Sequence, residues 1–168
     1  MKMANKQDFS AEEWAKIRES VMLVSLAVTA ADPSGLIGAI KEAFAGGVAL
    51  ASAKTDAGAS ELIKAVVADF ETSEVRTALR DGLKDRFRGA NPAEITRRSV
   101  EALAEVGSLL DGKAPGEAAA FKAWLYGISK KVAEAAKEGG FLGFGGVQVS
   151  DAEKATIDEV GRALKITA

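Results

Sequence analysis

Apolar residues recur along this chain at three- and four-residue spacing, the period of helices that bury one face. Trp14, Ile17, Val21, Val24 and Val28 form the first such stripe. Ahead of it stands Ser10-Ala11-Glu12-Glu13, a capping box: Ser10 accepts the Glu13 amide, and the Glu13 carboxylate reaches back. Phe9 is placed to staple the first turn. This helix is expected to stop near Ala31, because Pro33 disfavours helical geometry at Asp32.

The same reading continues down the chain. A second helix is expected from Gly35 to Ala53, with Leu36, Ile40, Phe44 and Val48 on one face and Gly46-Gly47 weakening its middle. Ser60 caps a short third helix carrying Leu62, Ile63, Val66 and Val67, and Thr72 caps a fourth carrying Val75, Leu79 and Leu83. Asn91-Pro92-Ala93-Glu94 joins a capping side chain to a proline at the first helical position. The fifth helix it starts is expected to reach Leu110 and to stop at Asp111-Gly112. Pro115 opens a long sixth helix, lined by Phe121, Trp124, Leu125, Ile128 and Val132 and ending at Gly139-Gly140. Residues 141–149 read as an apolar, glycine-rich loop. Ser150-Asp151-Ala152-Glu153 is another capping box, opening a seventh helix through Ile157, Val160 and Leu164.

Composition strengthens this all-α reading. Alanine, the best helix former, supplies 33 of the 168 residues, and only three prolines interrupt the chain. Leu, Ile, Val and Phe total 41, enough for a packed core. Residues 1–9 are assigned to an N-terminal tail and residues 10–168 to one domain. The longest apolar run, Val21 to Ala31, is 11 residues, where a membrane span needs about 20. The first ten residues are polar and do not form a signal peptide. A cytoplasmic location is the expectation.

The absent residues restrict the chemistry further. There is no cysteine and no histidine, so a disulfide, a thiolate nucleophile, a Ser-His-Asp triad and a Cys/His zinc site are all excluded. A metal site here must use oxygen ligands, which suit Ca²⁺, Mg²⁺ or Mn²⁺. Asp32, Glu42, Glu138, Asp151 and Glu153 are the candidate ligands. Three of them also have a structural explanation: Asp32 as a turn former, Glu153 as a cap, Glu42 as a solvated acid.

Three other segments offer chemistry. Five of the eight residues from Gly139 to Gly146 are glycine, interleaved with Phe141, Leu142 and Phe144. The segment lacks the Gly-Lys-Ser/Thr ending of a phosphate loop. Its apolar side chains suit docking, either onto the chain's own core or onto a partner, lipid or membrane surface. Residues 76–98 hold Arg76, Arg80, Lys84, Arg86, Arg88, Arg97 and Arg98 against Asp81, Asp85 and Glu94. Phosphate contact is one use for them, but a paired, solvated face is the simpler account, and nucleic acid is not an expected partner. Tyr126 and Lys130 lie one turn apart, a pair that would serve proton transfer if a pocket enclosed it.

Two acid-and-glycine helix junctions give a wider resemblance. Leu26-Ala27-Val28-Thr29-Ala30-Ala31-Asp32-Pro33-Ser34-Gly35 is one; Val132 to Gly140, followed by Ser150-Asp151-Ala152-Glu153-Lys154, is the other. Together the junctions resemble the TerB-like family of bacterial proteins, which is associated with tellurite resistance. The resemblance implies about seven helices in two pseudo-symmetric halves and a non-enzymatic role in bacterial stress systems. It also implies an acidic site for a divalent cation. Asp32, Glu138 and Glu153 match that site, with Glu42 and Asp151 as further candidates. Two alternatives stand beside it. One is a module docking a protein partner, a second copy or a membrane through Phe141, Leu142 and Phe144. The other is a small-ligand binder or enzyme with a pocket between the helical halves.

Overall fold

The computed structural model describes residues 3–31, 59–138 and 149–166, with the backbone alone at 135–138. Within them lie a short 3₁₀ turn, Lys6–Asp8, and six α-helices. The helices are α1 (Ala11–Ala31), α2 (Glu61–Phe70), α3 (Ser73–Arg86), α4 (Pro92–Lys113), α5 (Pro115–Glu138) and α6 (Asp151–Ala163). No strand occurs among the described residues. None of the described helices is long and apolar enough to cross a membrane. The helix expected from Gly35 to Ala53 lies outside the described residues.

Three capping boxes fix helix starts where the local sequence places them. Ser10, Asn91 and Ser150 each accept the amide three residues on, and Glu13, Glu94 and Glu153 each return to the cap amide. Phe9 meets Trp14, with ring centroids 6.0 Å apart, as a staple requires. Two local expectations need correction. Thr72 is the N-cap of α3 but makes no side-chain cap bond. Arg76 instead closes this corner, donating to the carbonyls of Phe70 and Glu71 at 2.7 and 3.0 Å. Nor does Asp111-Gly112 stop α4, which runs to Lys113. The break comes at Ala114, whose amide still donates to Leu110 and which Pro115 follows.

The centre of the bundle is α1, which packs against α4, α5 and α6. Its C-terminal half is buried on nearly all sides: Leu23, Val24, Leu26, Ala27, Val28 and Ala30 are all core residues. A helix can be enclosed this way only if its polar groups are satisfied internally. Ser20 donates to Ile17 O at 2.6 Å and Thr29 to Ser25 O at 2.8 Å, so neither hydroxyl needs water. Leu103, Val106 and Leu110 of α4, Phe121, Leu125 and Ile128 of α5, and Val160 of α6 complete the core with Leu164.

Long-range polar contacts set the helix directions. Thr96 at the start of α4 donates to Ala27 O near the end of α1, at 3.2 Å. Lys113 at the end of α4 pairs with Glu13 at the start of α1, at 2.7 Å. Helix α4 is therefore antiparallel to α1. Ala114 alone separates α4 from α5, and across this corner Lys122 of α5 bonds Asp111 of α4. Helix α6 finishes beside the end of α4, where Lys165 reaches Asp111 at 3.6 Å. Helix α1 ends at the opposite pole from that contact.

Candidate functional site

The expected cation ligands fall on the chain unevenly. Glu153 is buried in the first turn of α6. Its Oε2 accepts the Ser150 amide at 2.8 Å, and its own amide donates to Ser150 Oγ at 3.1 Å. This is the capping role that its spacing gives it. Asp151 is fully exposed, with Lys154 3.8 Å away. Glu138 is the last residue of α5. Asp32 and Glu42 lie outside the described residues, as do Phe141, Leu142 and Phe144. Among the described residues no three acids gather into a group able to hold a metal.

The acids that follow or close α1 and α5 stand differently toward the helix dipole from Glu153. A helix C-terminus carries roughly half a negative charge from its unsatisfied carbonyls. The last turn of α1 holds no basic side chain to offset it. Asp32 is next in sequence after Ala31, and Glu138 closes α5. An acid at a helix C-terminus opposes the dipole, whereas Glu153, at a helix N-terminus, is favoured by it.

Three other acids hold the bundle together, and sequence reasoning missed them. Asp69, at the end of α2, gathers donors from three places. Its Oδ2 accepts Trp14 Nε1 at 2.7 Å and Arg18 at 3.3 Å, and Lys6 approaches at 3.3 Å. Burial pushes the Asp69 carboxyl up, but the Trp14 indole, Lys6 and Arg18 outweigh it and hold the group below the usual aspartate range. Asp111 is also lowered, chiefly by the hydrogen bond from buried Lys122, with Lys165 adding to it. Glu117 is buried in the first turn of α5, and its Oε2 accepts the Leu62 amide at 2.8 Å. It thus caps the start of α2 from 55 residues away. No local signal marks these roles, because every partner is remote in sequence.

The basic segment is largely occupied within the chain. Arg76 serves the α2 carbonyls. Arg86 pairs with Glu19 at 3.1 Å, Arg88 with Asp85 at 2.5 Å and Arg97 with Glu101 at 2.7 Å. Arg98 lies 5.7 Å over the Phe87 ring. Tyr126 and Lys130 also meet each other: the exposed Lys130 ammonium sits 4.8 Å over the Tyr126 ring. The same ring packs on Gly161 of α6, where an added Cβ would fall 3.2 Å from Tyr126 Cε2.

Compared with family models, curated proteins and solved structures, the chain finds no match in any of the three.

Proposed function

We propose that this chain is a TerB-like, non-enzymatic helical module of a bacterial stress system. In this reading it binds a divalent cation at the ends of α1 and α5. Asp32, Glu138 and Glu153 are its ligands, and the two pseudo-symmetric halves belong to the same proposal. The observation that supports it is the packing of α1 against α5. Each of these helices is followed or closed in sequence by an acid, Asp32 after Ala31 and Glu138 at the end of α5. Helix α6, which carries Glu153 in its first turn, packs against both α1 and α5. A cation would offset both dipoles and both carboxylates.

Glu153 enters this site with one oxygen already bonded to Ser150, so it has the other to offer. Docking through Phe141, Leu142 and Phe144 rests on residues outside those described. The pocket reading is weakened by the stacking of Lys130 on Tyr126.

Calorimetric titration with Ca²⁺, Mg²⁺ and Mn²⁺ tests the proposal. One ion should bind with saturable heat, and Asp32→Asn and Glu138→Gln should each remove it. At a hundredfold excess over Kd the ion should stabilise the fold by about 2.7 kcal/mol. No heat and no thermal shift at millimolar metal would sink the site.

A further inference from the structure

We propose that residues 3–9 form a strap that opens as a unit while the helices stay folded, with the Lys6–Asp69 contact as its latch. The strap has its own internal structure. Asp8 N donates to Asn5 O and Phe9 N to Lys6 O, while Asn5 and Asp8 form a reciprocal capping box around the turn. These backbone hydrogen bonds all run between residues 5 and 9, so the turn can leave the bundle without breaking them.

Side chains hold the strap down. Ala4 and Phe9 are buried, and Phe9 lies against Trp14. Lys6 places its ammonium 5.9 Å over the Trp14 ring and 3.3 Å from Asp69 Oδ2. The latch is asymmetric. The Lys6 side chain is 59% exposed, against 21% for Arg18, which meets the same oxygen. Salt therefore screens the Lys6 contact first. When Lys6 leaves, Trp14 Nε1 and Arg18 still bond Asp69, so no carboxylate is stranded in a partly buried site. Opening then costs mainly the burial of Ala4 and Phe9 and remains a local event, below global unfolding. It uncovers the face of the Trp14 ring beside an acid that stays in place.

Hydrogen exchange read by mass spectrometry on peptides covering 3–9 and 14–31 tests this on the full chain. The strap amides should exchange far faster than those of α1. Raising salt from 50 to 500 mM should speed strap exchange about two- to fivefold, the range set by an exposed ion pair. Lys6→Gln should give the same acceleration at low salt, lower the salt dependence and leave α1 unchanged. In a Trp124→Phe background, acrylamide quenching of Trp14 should rise in parallel. Strap amides that exchange only as fast as α1, or a Lys6→Gln strap whose exchange at low salt is no faster and whose salt response is undiminished, would overturn the proposal.

Discussion

Replacing Asp69 by asparagine removes a charge while keeping an acceptor, and the structure gives the size of the loss. The Trp14 indole bonds Asp69 Oδ2 at 2.7 Å in a partly buried site. A hydrogen bond to a charged group contributes about 1.5–3 kcal/mol and a neutral one about 0.5–1.5, so this bond alone loses roughly 1 kcal/mol. Arg18 loses its anion, while its Nε is already buried without a partner. The exposed Lys6 pair adds only about 0–1 kcal/mol. Asp69→Asn is therefore expected to destabilise the fold by about 2 kcal/mol, read from urea unfolding at neutral pH.

The pH dependence supplies a second check. The folded Asp69 carboxyl is held below its ordinary value, about 3.9. Its charged form therefore contributes stability that is complete above that value. The contribution is lost as pH falls through the lower, folded value. The gap between the two proteins should stay constant from pH 7 to about pH 5 and close in stronger acid. Equal stabilities at pH 7, or a gap that persists after full acidification, would refute the charge as the source.

Two further outcomes follow from the helices themselves. Glu117→Ala should cost about 1–3 kcal/mol by leaving the buried Leu62 amide without an acceptor, whereas Glu117→Gln, which can still accept, should cost clearly less; urea midpoints separate them. Gly127→Ala should stabilise the protein by about 0.5–1 kcal/mol, because this position lies inside α5 and an added Cβ meets nothing within 4 Å. Thermal unfolding checks the sign.

Much of the helical framework was legible before the structure. The three capping boxes are pairs three residues apart, and such pairs meet whenever the segment is helical, whatever surrounds it. The Phe9–Trp14 staple is local for the same reason. Errors arose where a helix end depended on more than its own residues. Asp111-Gly112 reads as a stop, yet Lys122 and Lys165 hold Asp111 at the last turn of α4, and that helix continues to Lys113. Thr72 reads as a cap, yet the corner it occupies is closed by Arg76.

The candidate site divides along the same line. Glu153 could be assigned to its capping box from spacing, and the bonds to Ser150 are there. That α4 runs antiparallel to α1 could not be read from spacing, because it depends on Thr96 meeting Ala27 and Lys113 meeting Glu13, 69 and 100 residues apart. By itself the sequence determined the helical class, most helix starts and the restriction of any metal site to oxygen ligands, since these follow from residue identity and short-range geometry. Only the tertiary structure decided that α1 is the enclosed centre and that Asp69, Asp111 and Glu117 are the acids that tie the helices together. Those roles need partners brought from distant parts of the chain, and chain packing alone supplies them.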